Sequence, residues 1–203
     1  QLLIRLLKWA AGLATAGMLA LLMVIAVALS VAYPNLPDIS DMLNYRPKLP
    51  MRVFSADGEL IGEFGEERRS LTPIKDIPQV MKDAVLAIED ARFFQHGGVD
   101  YLGVIRAGLA QFNKVKSQGA STITMQVARN FYLSTEKTFT RKIYEVLLAL
   151  KIESQRTKPQ ILEIYMNQIF LGQRAYGFAA ASEIYFGKPL AEITIGEAAM
   201  LAG

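Results

Sequence analysis

The apolar pattern changes character twice along the chain. Residues 9–33 contain no charged side chain, and these 25 residues at helical rise span about 38 Å, enough to cross a bilayer with some tilt. The pattern predicts a transmembrane helix at 9–33 behind a short stub at 1–8. A cleaved signal peptide is the alternative, since Ala26-Val27-Ala28 resembles a cleavage site, but the run exceeds the usual apolar length of about 7 to 15 residues. Arg5 and Lys8 precede the run, and Asp38 and Asp41 are the first charges after it. The positive-inside rule then puts the N-terminus in the cytoplasm and the rest of the chain outside.

From residue 34 to 50 four prolines predict an extended linker. Residues 52–54 and 60–64 alternate around Asp57-Gly58, the signature of a β-hairpin. Beyond residue 78 the apolar spacing turns helical, with helices predicted near 78–95, 100–112, 121–132, 138–155, 159–170, 176–185 and from 194 onward. The fold class is therefore mainly α with a small β element at its entrance. In the first of these helices a helical wheel places Ile88 at the centre of a core stripe with Met81, Ala84, Val85 and Ala91. Glu89 falls on the rim of that stripe and Asp90 points toward water. A carboxylate on such a rim is a candidate for taking or giving a proton.

Composition narrows the classes. At 52% hydrophobic and 20% charged the chain is too apolar for disorder, and 203 residues suffice for one packed domain plus an appendage. The absence of cysteine suits an exported domain without disulfides but decides little. The net charge of +3 comes from scattered basic residues with no stripe of interleaved aromatics, which argues against nucleic-acid binding. The chain begins on Gln and stops at Gly203 inside an apolar helical pattern, so both ends are read as trimmed.

Candidate chemistry is concentrated after residue 84. Gly119 to Thr124 reads as a glycine loop entering a helix capped by Ser121, from which Thr122, Gln126 and Arg129 recur on one face while Ile123, Val127 and Phe131 mark the buried one. A helix N-terminus followed by arginine suits phosphate or pyrophosphate, and a capped surface helix is the plain alternative. Arg141 and Glu145 lie one turn apart, which by default is a solvated ion pair. If Glu145 shared a cleft with Glu89, two carboxylates could divide acid–base and positioning work. Thr157 with Gln160, and Thr194 with Glu197, are capping boxes. His96, the only histidine, follows Phe93-Phe94 and has no histidine or cysteine companion for a zinc site. Residues 101–112 are either a core helix or a lobe dipping into the membrane surface with Lys114 and Lys116 at the headgroups. No nucleophile elbow, P-loop or dinucleotide fingerprint occurs, which leaves carboxylate and anion-binding chemistry.

Five ordered segments together carry a resemblance: Glu89-Asp90-x-x-Phe93-x-x-His96-x-Gly98; Gly119-x-Ser121-Thr122-Ile123-Thr124-x-Gln126; Arg141-Lys142-x-x-Glu145; Lys158-x-x-Ile161-Leu162-Glu163-x-Tyr165-x-Asn167; and Arg174-x-x-Gly177 through Tyr185-Phe186-Gly187-Lys188. They resemble the family-51 glycosyltransferases, the peptidoglycan polymerases found alone or at the front of class A penicillin-binding proteins. The text of residues 52–69 is most similar to the 1A branch. The resemblance covers residues 51–203. It implies a lysozyme-like, two-lobed α domain in which 101–120 is the membrane-proximal lobe. Its implied setting is the bacterial inner membrane, with the catalytic domain periplasmic.

The implied reaction is polymerisation of lipid II into glycan strands with inversion and release of undecaprenyl pyrophosphate. On that resemblance Glu89 is the general base and Glu145 the second carboxylate. Thr122, Gln126, Arg129 and Arg141 hold pyrophosphate, while Asp90, Phe93, His96, Ser121 and Lys142 support them. The residues require no cofactor and form no metal site, with Mg2+ or Mn2+ as candidate assisting ions. Implied partners are lipid II and the growing glycan chain, membrane lipids, phosphoglycolipid inhibitors such as moenomycin, and other cell-wall synthesis proteins. Met125 stands where the family often has glutamine, Arg129 where many members have lysine, and a lysine-bearing segment that follows Leu-Ala-Gly in the family lies beyond residue 203. Competing readings are a lysozyme-like glycan hydrolase and a non-catalytic membrane-tethered scaffold.

Overall fold

The computed structural model describes residues 2–39, 51–65, 67–112, 121–132 and 139–203, with some side chains inside these elements, several of them between 21 and 31, outside the description. The predicted linker beyond residue 39 and the 113–120 loop therefore lie outside the described residues. The chain divides into two compact units, Gln1–Pro37 and Asp38–Gly203.

The first unit is one long helix, α1 (Leu2–Ala32), followed by a 3-10 turn at Tyr33–Asn35 with Pro34 in its first positions. Its 31 residues carry no charge after Lys8. Taken over the described residues alone, no helix is long and apolar enough to cross a membrane.

The second unit opens with the predicted hairpin, β1 (Met51–Phe54) and β2 (Leu60–Phe64), paired antiparallel with Met51 opposite Phe64 and an irregularity between Val53 and Phe54. Its turn is closed by Ser55, whose backbone N–H donates to the Glu59 carbonyl at 2.8 Å and whose hydroxyl oxygen accepts from the Glu59 N–H at 2.9 Å. Two short strands, β3 (Arg68–Arg69) and β4 (Ala175–Tyr176), pair parallel. There Arg69 is buried, with its guanidinium 4.1 Å from the Tyr176 ring centre and its Nε donating to Glu67 at 2.7 Å.

The remaining helices are α2 (Gln79–Glu89), α3 (Tyr101–Phe112), α4 (Ile123–Tyr132), α5 (Phe139–Gln155), α6 (Lys158–Gln168), α7 (Phe178–Phe186) and α8 (Ile195–Ala202). Their number and order follow the apolar spacing. The predicted caps are present at both boxes. The Gln160 side chain accepts the Thr157 N–H at 3.0 Å, and Glu197 accepts the Thr194 N–H at 2.8 Å while Thr194 Oγ1 accepts the Glu197 N–H at 3.4 Å.

Helix α4 is the centre of the unit. It packs against α5 on one side and α6 on another, and every residue from Thr122 to Ala128 is buried. The expectation of a helix with one polar, solvated face is corrected here. Thr124 and Gln126 are buried because each has a polar partner on a neighbouring element, and a satisfied polar group tolerates burial.

Helix α6 anchors the approach to α2. The Asn167 side chain exchanges hydrogen bonds with the Thr72 backbone at 2.8 and 2.9 Å, and Glu163 accepts the Ile74 N–H at 2.7 Å. Helix α2, preceded by Pro78, buries Met81 and Val85 and packs against α8. Ile88, the expected centre of its core stripe, is instead 45% exposed: it lies on the same side as Met81 and Val85, but in the last turn of α2, where it borders an open cleft.

Candidate active site

The predicted helix at 78–95 breaks at the residue that matters. Helix α2 ends at Glu89, Asp90 leaves the helical region with φ −160° and ψ 74°, and a separate 3-10 turn forms at Phe93–Gln95. The break places Glu89 at a helix end and swings Asp90 inward. Asp90 is 6% exposed, so the expectation that it points to water is corrected. Its carboxylate accepts from His96 Nε2 at 2.9 and 3.1 Å and from the Ile123 backbone N–H at 3.1 Å. Asp90 therefore sits on the N-terminus of α4, where the helix dipole favours an anion.

This arrangement also revises the role of the helix N-terminus. The end expected to be open to phosphate is covered by Asp90, and the cap is Thr122, not Ser121. Thr122 Oγ1 accepts the Met125 N–H at 3.2 Å and donates to the Gly98 carbonyl at 2.6 Å. Gly98 has φ 93°, and a Cβ there would meet the Ala149 backbone at 3.1 Å, so only glycine brings that carbonyl so close to α5. Ser121 instead accepts from Lys142 Nζ at 2.7 Å.

Gln126, one turn along α4, donates from Nε2 to Glu89 Oε2 at 2.5 Å. Among the described residues Glu89 Oε1 takes no hydrogen bond. Glu89, itself half-buried, lines a cleft of about 50 Å3 together with Ile88, Asp90, Arg92, Asp100, Arg106, Ser121 and Thr122 among others. Arg92 grips Asp100 through contacts of 2.7, 2.7 and 3.2 Å, and Asp100 also accepts the Gly103 N–H at 2.9 Å, which caps α3. Burial alone would raise the Asp100 carboxyl, but the Gly103 N–H and the Arg92 guanidinium outweigh it and hold the group below the usual carboxylate range.

Glu145 is not among the residues lining that cleft. It is 1% exposed, so the default of a solvated ion pair is corrected as well. Arg141 Nε lies 3.3 Å from one of its oxygens and Lys142 Nζ 2.9 Å from the other. Lys142 joins this cluster to Ser121 and so to the cleft wall. Glu89 and Glu145 are thus both connected to the N-terminal end of α4, the first through Gln126 and the second through Lys142 and Ser121.

Sequence reasoning passed over several neighbours. Tyr165 of α6 is 3% exposed, and burial together with the nearby Glu89 charge pushes its phenol above the ordinary tyrosine range, with Arg129 partly offsetting the effect. Behind the cleft, Thr124 donates to Glu153 at 2.6 Å, Lys158 Nζ meets the same oxygen at 2.7 Å, and Lys158 also stands 4.2 Å from the centre of the buried Phe93 ring. These contacts join residues far apart in sequence, so no local pattern signals them. Tyr165 and Lys158 stood within a recognised motif without an assigned role. Among the described residues no group of three or more His, Cys, Asp or Glu side chains could hold a metal ion.

Residues 57–203 match the transglycosylase family. The chain belongs to that family. It is 57% identical over 180 residues to penicillin-binding protein 1A of Neisseria gonorrhoeae, covering 88% of this chain and 23% of the relative. It is 51% identical over 171 residues to penicillin-binding protein 1A of Escherichia coli K12, covering 84% of this chain and 20% of the relative. Among solved structures, penicillin-binding protein 1A from Haemophilus influenzae matches at 30% identity and a TM-score of 0.35, covering 78% of this chain and 14% of that one. The chain spans about a quarter of the length of the first of these relatives. For a transglycosylase, the arrangement supplies one carboxylate with a free oxygen in an open cleft and a second carboxylate held by two cations. That is a division into a group able to move a proton and a group able to organise charge.

Proposed function

We propose that this transglycosylase is a peptidoglycan glycosyltransferase that polymerises lipid II, with Glu89 as general base. The observation that carries the reading is the Glu89 carboxylate in the cleft, fixed through Oε2 by Gln126 and open at Oε1. In the reaction, Glu89 Oε1 takes the proton of the acceptor sugar 4-hydroxyl while that oxygen bonds to C1 of the growing chain. The C1–O bond to pyrophosphate breaks on the opposite face, and undecaprenyl pyrophosphate leaves with the electron pair. Holding one oxygen of the base fixes the direction of its other lone pairs, which is the positioning such a step needs.

Of the residues expected at pyrophosphate, Thr122, Gln126 and Arg141 have internal work: capping α4, holding Glu89 and holding Glu145. Arg129 has no hydrogen bond or ion pair among the described residues and is the member of that set available to the leaving group. Glu145 acts by holding Arg141 and by keeping Lys142 on Ser121. Asp90, braced by His96, ties the end of α2 to the start of α4, and Phe93 packs beside His96 and Lys158.

The membrane setting belongs to the same proposal. The uncharged stretch of α1 behind Arg5 and Lys8 supports a single anchor with a cytoplasmic N-terminus. On α3, Tyr101, Leu102, Val104 and Ile105 are 66%, 66%, 45% and 60% exposed, an apolar surface suited to lipid. Washing membranes that carry the full protein with alkaline carbonate tests the anchor; recovery in the supernatant would remove it.

The activity is tested with labelled lipid II and purified sacculi in parallel. Growth of long glycan strands from lipid II alone is the expected result. Fragments released from sacculi with no growth from lipid II would replace polymerisation by hydrolysis.

A further inference from the structure

Outside the cleft, the segment between α6 and α7 carries features that the reaction at Glu89 leaves unused. Phe170 is 55% exposed, and Tyr185 of α7 is 44% exposed. The Tyr176 ring braces Phe170 at 5.0 Å between ring centres and is itself covered by the Arg69 guanidinium. Tyr185 donates its hydroxyl to the Leu171 carbonyl at 2.7 Å. Gly172 has φ 84°, and a Cβ there would stand 2.7 Å from that hydroxyl, so only glycine lets the Tyr185 ring close on the turn. The fold thus fixes two aromatic rings and leaves both open to solvent.

Next to these rings the backbone takes an uncommon form. Gln173 and Arg174 have φ 45° and 64°, left-handed values that cost non-glycine residues energy. The turn is nonetheless held firmly: the Ala175 N–H donates to the Gly172 carbonyl at 2.7 Å, the Leu171 N–H to the Ala175 carbonyl at 3.0 Å, and the Arg68 N–H to the Arg174 carbonyl at 2.9 Å. Gln173 and Arg174 are left exposed next to the exposed Arg68. Arg69 is matched by Glu67 at 2.7 Å, whereas the side chains of Arg68 and Arg174 have no hydrogen bond or ion pair among the described residues. Two open rings, an amide and two unmatched guanidiniums fit a polymer of sugars that bears carboxylates. The apolar faces of sugar rings lie on aromatic rings, hydroxyls bond to the amide, and carboxylates pair with the guanidinium forks. The apolar surface suited to lipid lies on α3, and two separate rings among polar groups fit sugar faces better than acyl chains.

We infer that Phe170, Tyr185, Gln173, Arg174 and Arg68 bind the growing glycan strand outside the cleft, through its sugar faces and the carboxylates of its peptide stems; this rests on the lipid II reading. Helix α6 joins the two sites: the buried Tyr165 lies within reach of the Glu89 charge, and about 11 Å of backbone leads from Tyr165 to Phe170. A contact of this kind holds the product between additions. It governs how long the strands become, not how readily lipid II enters the cleft.

The test uses the full-length protein in detergent, comparing wild type with Arg174→Gly, Phe170→Ala and, in parallel, Glu89→Gln. Arg174→Gly removes the guanidinium while relieving the left-handed backbone, so the fold is kept. Binding is measured on soluble uncrosslinked glycan strands, with their acidic peptide stems and after enzymatic removal of those stems. Arg174→Gly should weaken binding of the stem-bearing strands about tenfold, as expected for loss of a charge-assisted contact, and binding of the bare strands far less. Phe170→Ala should weaken both, and Glu89→Gln should bind as wild type does. From lipid II, Arg174→Gly and Phe170→Ala should make shorter strands at an unchanged half-saturation. Normally melting variants that both keep wild-type strand affinity, or both make strands of wild-type length, overturn the inference, while polymer growth by wild type in the same experiment leaves the glycosyltransferase reading standing. A wild type that grows no strand from lipid II overturns that reading itself. Loss of binding to phosphatidylglycerol vesicles with unchanged strand affinity would assign this surface to lipid headgroups and overturn the glycan assignment.

Discussion

Replacing Asp90 by alanine removes the acceptor that joins three elements. Two buried donors, His96 Nε2 and the Ile123 N–H, would lose the carboxylate that lies 2.9 and 3.1 Å away. His96 Nδ1 is already buried without a hydrogen-bond partner, so the ring would have none at all. Each orphaned buried donor costs about 1–3 kcal/mol, and the lost anion at the α4 N-terminus adds about 0.3–1 kcal/mol. The expected loss is therefore about 2–7 kcal/mol. For a domain of this size that corresponds to a fall in Tm of about 5–28 °C. Asp90→Asn keeps the shape and one acceptor oxygen, so its loss should be under half as large. Differential scanning calorimetry of the three proteins at one pH gives the comparison. A Tm within about 2 °C of wild type for Asp90→Ala would show that the carboxylate does not hold these elements together. Both variants should also lower polymerisation, because Gln126 reaches Glu89 from the helix that Asp90 fixes.

Two further variants test neighbouring parts of the structure. Gly98→Ala should destabilise by about 2 kcal/mol or more, since φ 93° and the Ala149 backbone 3.1 Å from the new methyl both oppose it; a melting curve matching wild type would refute that packing. At the other end of the domain, Lys188 and Thr194 hold the Glu197 carboxyl down to about 2, through side-chain hydrogen bonds from Lys188 and Thr194 first, then the Thr194 N–H. A carboxyl lowered in the folded state contributes stability above its ordinary value of 4.5, and this contribution is lost as pH falls toward 2. Lys188→Met should therefore melt below wild type at neutral pH and converge with it on acidification; a constant gap down to pH 2 would contradict the coupling.

The elements that local pattern decides were legible in the sequence. Helices α3 to α8 follow apolar spacing and strong end signals, such as Thr157 with Gln160 and Thr194 with Glu197, and the hairpin follows Asp57-Gly58. What escaped was set by distant partners. A helical wheel continued through Asp90 sends its side chain to solvent, but the backbone leaves the helix there and His96 and Ile123 draw the carboxylate inward. Ile88 was misplaced for a related reason: it shares the face of Met81 and Val85, but α2 ends one residue later and leaves it at the edge of the cleft, which periodicity does not show. Helix α4 gave an amphipathic pattern, yet its stretch up to Ala128 is buried all round because Thr122, Thr124 and Gln126 find partners on the Gly98 turn, α5 and α2. The candidate site was legible through motif order, and Glu89 with Gln126 does come together. The Thr124–Glu153–Lys158 contact emerged only once the helices were placed.

The central claim is that Glu89 moves the proton when a glycan strand grows. Its most direct measurement is chain elongation from labelled lipid II by full-length Glu89→Gln beside wild type, with melting curves of both. Gln at this position keeps the size of the side chain while removing the base, so the account predicts a folded protein whose elongation rate falls by at least about 100-fold. Elongation at the wild-type rate by a normally melting Glu89→Gln would contradict it.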